Sequence, residues 1–139
     1  MIFTFFDYWG FMRINKVMFQ LATVVATAVL FSGSGFAEEK FAVIAGEWQR
    51  TDGNYLITVS DVQANGQATV QYFNPRPIHI AKAAVSPHKG FVQLSIEFQD
   101  RGYEGSTYLL YYYAEEDSLV GYYYQAKMDR TYKVGFIRK

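Results

Sequence analysis

The feature that most restricts this chain is a two-residue alternation of apolar and polar side chains. Between Phe91 and Phe98, the residues Val92, Leu94, Ile96 and Phe98 share one side of an extended strand, and Gln93, Ser95 and Glu97 share the other. Similar runs recur from residue 46 to residue 138, interrupted every roughly 8 to 12 residues by turn chemistry. This is the pattern of an antiparallel sheet with one buried face. It predicts eight strands, near 46–50, 55–62, 68–73, 78–85, 91–98, 107–114, 119–126 and 131–138. Thr51-Asp52-Gly53-Asn54 and Ala64-Asn65-Gly66-Gln67 carry Asp-Gly and Asn-Gly pairs, which tolerate the positive φ of tight hairpins. No connection is long enough for a crossover helix, so neighbouring strands should run antiparallel.

Parity assigns the faces. Tyr55, Ile57 and Val59 point inward on the second strand, Val70 and Tyr72 on the third, and Tyr132, Val134 and Phe136 on the last. On the fourth, Ile78 and Ile80 share parity with Lys82 while Ala81, Ala83 and Val85 lie opposite, which predicts a bulge or kink near Lys82. Eight sequential antiparallel strands lose both edges by closing on themselves. The expected fold is therefore all-β, an eight-stranded antiparallel up-and-down barrel, whose interior is either filled by side chains or holds one small ligand.

The strand pattern begins only after residue 37. Arg13 and Lys16 precede an apolar stretch from Val17 to Phe31, and Gly35 and Ala37 are small, as signal peptidase sites require. Residues 1–37 are expected to be a helical signal peptide cleaved before Glu38, with Met12 as the true start, because Asp7 and the absence of basic residues before Met12 suit no exported leader. Residues 38–139 then form a single barrel domain, periplasmic or extracellular, with membrane contact only through an uncleaved leader. The chain has 13 basic and 13 acidic side chains and no cysteine. Disulfide scaffolds and Cys-ligated zinc modules are excluded, and no nucleic-acid partner is expected without an excess of Lys and Arg. Most of the Phe lies in the leader, whereas eleven of the twelve Tyr lie in residues 38–139.

Gly46-Glu47-Trp48 on the first strand, with Arg138 at the end of the last, resembles the calycin pattern of lipocalins and their relatives. The resemblance implies a lipocalin-like barrel closed at one end by Trp48, with Arg138 packed across the indole; Arg138 has the parity of Val134 and Phe136. The segments Tyr72 to Ile78, Gly105 to Tyr108 and Leu119 to Tyr123 also resemble a family of small, uncharacterised exported bacterial proteins, a likeness that implies no activity.

Consecutive tyrosines in Tyr108 to Tyr113 and Tyr122 to Tyr124 must alternate between faces. Inward rings of Tyr72, Tyr108 and Tyr123, with Phe98 and Phe136, suit a flat or amphipathic small molecule. Outward Tyr111 and Tyr113, with Arg76 held in the stiff Asn74-Pro75-Arg76-Pro77 loop, suit a protein partner or an inhibitory surface. His79 and His88 are the only histidines, and neither further ligands nor an orienting carboxylate stands at recognisable spacing. No nucleophile motif or paired-carboxylate signature is present, so neither an enzyme activity nor a cofactor or metal is expected.

Overall fold

The computed structural model describes residues 39–139, and the signal peptide expected over 1–37 lies outside them. Nine antiparallel strands make one sheet: β1 (Gly46–Arg50), β2 (Leu56–Ser60), β3 (Thr69–Asn74), β4 (Arg76–Ile78), β5 (Ile80–His88), β6 (Phe91–Phe98), β7 (Thr107–Tyr113), β8 (Ser118–Gln125) and β9 (Arg130–Arg138). Their order is β4-β3-β2-β1-β9-β8-β7-β6-β5. Pairing of β1 with β9 joins the first and last strands, so the sheet curls into a nearly closed up-and-down barrel. Edge strand β5 is tied across the seam to the β2–β3 connection, where the Val85 N–H donates to the Gly66 carbonyl at 2.8 Å. Gly66 has φ +88°, and a Cβ there would stand 2.1 Å from the Val85 oxygen, so only glycine lets the seam close this tightly.

The ninth strand arises from a break in the expected fourth one. His79 separates β4 from β5, and its backbone N–H donates to Asp100 Oδ2 at 2.9 Å while ring Nδ1 lies 2.7 Å from Oδ1. A carboxylate thus replaces the ladder bond that a continuous strand would have made. This corrects the expectation that no carboxylate orients a histidine: Asp100 does so from the β6–β7 loop, 21 positions away. The irregularity expected near Lys82 is present, as the β5–β6 register shifts between Ile80 and Lys82.

Parity holds where the strand is deep. Val92, Leu94, Ile96 and Phe98 are buried, as are Ile57, Val59, Tyr72, Val134 and Phe136. Tyr132 shares the inner face but is 39% exposed, because it pairs with Tyr123 near the rim of the barrel rather than at its centre. The connections alternate between two ends. The β1–β2, β3–β4, β6–β7 and β8–β9 connections gather at one; the β2–β3, β5–β6 and β7–β8 turns and the segment 39–45 gather at the other.

Candidate ligand-binding site

The end carrying segment 39–45 is sealed. Phe41 and Ile44 are buried against Trp48, and the indole Nε1–H donates to the Ile44 carbonyl at 2.9 Å. The Arg138 guanidinium lies 4.2 Å over the Trp48 ring. It donates to Ala45 O at 2.7 Å and Val43 O at 2.8 Å, and forks onto Asp117 through Nε and Nη2 at 2.7 and 2.9 Å. Hydrogen bonds from Arg138 hold the Asp117 carboxyl below its ordinary range, with Tyr112 adding a further donor. Gly46 has φ +137°, and a Cβ on it would sit 2.6 Å from Arg138 Nη1. The glycine of Gly46-Glu47-Trp48 is thus the space into which the guanidinium folds.

The opposite end is open and holds a cleft of about 310 Å³, at the low end of the roughly 300–1,000 Å³ typical of small-molecule sites. Tyr55, Tyr72, Tyr103 and Tyr123 wall it, drawn from the starts or ends of β2, β3 and β8 and from the β6–β7 loop. Arg50 at the end of β1, Asn74 at the end of β3, Gln125 at the end of β8 and Lys127 in the 3₁₀ turn Ala126–Met128 supply its polar side chains besides the tyrosines. Strand ends converge here because every second connection of an up-and-down barrel falls on the same side.

Arg50 is nearly buried, its side chain 12% exposed, and its guanidinium lies 4.7 Å from the centroid of the Tyr55 ring. Nη1 donates to the Tyr108 hydroxyl at 3.1 Å and Nη2 to Asp52 Oδ2 at 3.0 Å. Nε is buried beside Asp52 but without an acceptor along its N–H axis. Burial opposes the Arg50 charge, and the bonds to Asp52 and Tyr108 outweigh it. Below the cleft the Tyr72 and Tyr108 hydroxyls are 3.3 Å apart. Burial pushes both phenols upward and raises Tyr123 as well.

Of the residues expected to bind a ligand, Tyr72 and Tyr123 reach the cleft. Tyr108, Phe98 and Phe136 lie beneath it, each about 1% exposed or less, with ring centroids 5.5–5.7 Å apart in the pairs they form. The interior around these rings is therefore packed. Tyr111 and Tyr113 lie on the outer wall with His88 and Phe91, in ring contacts of 5.0–6.4 Å. Arg76 is exposed at the β3–β4 turn, the opposite end of the barrel, so it is not brought together with those tyrosines. Arg50, Tyr55, Tyr103 and Lys127 were not legible as site residues. The one local sign was Arg50 at the close of a strand before a tight turn. Among the described residues no group of three or more His, Asp or Glu is placed to hold a metal.

No protein-family model matches the chain, and neither the curated proteins nor the solved structures contain a match to it.

Proposed function

We propose that the protein is an exported, non-enzymatic, lipocalin-like barrel that binds a small aromatic or apolar molecule at its open end. The observation that carries this reading is the cleft walled by Tyr55, Tyr72, Tyr103 and Tyr123 at the end opposite the Trp48–Arg138 seal. Four phenol faces give a flat ligand large contact area with hydroxyl groups at the ring edges. The leader-like segment before Glu38 supports export, and the stacked Trp48–Arg138 pair with Gly46 supports the calycin likeness. Native mass spectrometry of the protein isolated from its own host tests the reading. A bound mass is expected on the wild type and is expected to be lost in a Tyr103→Ala/Tyr123→Ala double variant. A mass retained by that folded double variant, or no adduct on either protein, counts against a ligand held in the cleft.

A second reading rests on the contiguous His88, Phe91, Tyr111 and Tyr113 cluster, an outward aromatic face of the kind that docks proteins. In it the barrel is an interaction or inhibitor module. Tyr111→Ser/Tyr113→Ser would then abolish partner capture while leaving cleft binding intact.

A further inference from the structure

We infer that the cleft selects an anionic planar ligand, an aromatic carboxylate or a group of the same charge and shape, held by Arg50 and Lys127. The inference rests on the small-molecule reading above and names the chemistry of its ligand.

Three observations lead to it. The lining carries two cations, Arg50 and Lys127, and no carboxylate. Of the nearby acids, Asp52 pairs with Arg50 and offsets part of its charge, whereas Lys127 has no ion-pair partner among the described residues. An incoming anion gains from Lys127 and from the remaining Arg50 donors, and an incoming cation meets both as like charges.

One hydroxyl of the cleft is also polarised as a donor. Asn74 Nδ2 donates to the Tyr103 hydroxyl at 2.6 Å, which leaves the Tyr103 proton for the cleft. Between the Tyr72 and Tyr108 hydroxyls, 3.3 Å apart, either can donate. Arg50, Lys127 and Tyr103 thus present N–H or O–H groups, a set that two carboxylate oxygens satisfy more fully than the single carbonyl oxygen of an amide, and that an amine opposes in charge.

Arg50 itself is incompletely satisfied. Of the five N–H groups of a guanidinium, it uses one to Tyr108 and one to Asp52, and its Nε is buried against Asp52 Oδ1; one N–H on each Nη atom is left without an acceptor among the described residues. A ligand carboxylate that reached those two groups would gain charge-assisted hydrogen bonds.

The test uses three probes of one shape, 2-naphthoate, 2-naphthamide and 2-naphthylmethylamine, titrated calorimetrically into the wild-type protein. The expected result is 2-naphthoate binding at least about tenfold tighter than the amide, with the amine weakest, and a preference that shrinks as salt is raised. Arg50→Gln should erase the preference. Lys127→Gln, at a surface position whose loss leaves the barrel folded, should reduce it severalfold, so the inference stands or falls even if Arg50→Gln destabilises the fold. Equal binding of amide and carboxylate overturns the anion inference and leaves the small-molecule reading intact. Binding of none of the three overturns both.

Discussion

Two arginines mark the two ends of this barrel, and they differ in what surrounds them. Arg138 ends β9 and lies over Trp48; Arg50 ends the adjacent strand β1 and lies over Tyr55. Each is a guanidinium against an aromatic face, an arrangement worth about 0.5–2 kcal/mol depending on exposure. Arg138 makes four hydrogen bonds to Val43, Ala45 and Asp117, so its donor set is almost used up by the protein. Arg50 makes two, with its Nε against Asp52, and one N–H on each of its Nη atoms has no acceptor among the described residues. One arginine closes a structure. The other faces a cleft with donors to spare, and that difference separates a seal from a site.

The sharpest way to break the comparison is to remove an aromatic group from each end. Trp48→Ala should cost about 3–5 kcal/mol in urea unfolding, because the indole is fully buried and its loss leaves a cavity under the seal. Tyr103→Ala at the open end should cost less than about 1 kcal/mol and weaken 2-naphthoate binding. Equal losses at both ends would mean that the cleft is as structural as the plug.

Arginine-to-lysine exchange sharpens the comparison further. Arg138→Lys loses the forked bond to Asp117 and should destabilise by about 1.5–3 kcal/mol with no change in ligand affinity. Arg50→Lys should affect stability less and affinity more. Gly46→Ala should cost about 1–3 kcal/mol, since it meets both a φ of +137° and the Arg138 Nη1 atom. It is expected to act through the seal alone and leave the cleft unaltered in titration.

The smallest effect is an acid one. The Arg138 hydrogen bonds hold Asp117 below its ordinary 3.8, so the pair adds stability above that value and loses it as pH falls through the depressed one. Asp117→Asn should therefore be less stable than wild type at neutral pH, with the gap narrowing below 3.8. Urea midpoints of the two proteins across that range check it. A constant gap would show that the ion pair is not the source.

The sealed end was largely legible in the sequence, and the open end was not. Strand alternation is local, so the inward set of β6, the irregularity at Lys82 and the shared parity of Arg138 and Phe136 could be read from spacing. The packing of Arg138 on Trp48 is what the calycin resemblance of Gly46-Glu47-Trp48 and Arg138 implies, and the parity of Arg138 agrees with it. Parity gives the direction of a side chain but not its depth. Tyr108 and Tyr123 share a face, yet one is buried in the interior and the other walls the cleft. The break at His79 depends on Asp100, and the role of Arg50 depends on Tyr108, 58 positions away. Neither partner leaves a mark in the local pattern. The cleft draws on four separate connections, so no single motif contains it.

The most direct test of the account is one nitrogen-15 spectrum of the arginine side chains, recorded while 2-naphthoate is added. The Arg50 Nε signal, at the end where the ligand seats, is predicted to move and saturate, while the Arg138 Nε signal, at the sealed end, stays where it is. A shift confined to Arg138, or movement of both to the same extent, would contradict the division of the barrel into a sealed end and a binding end.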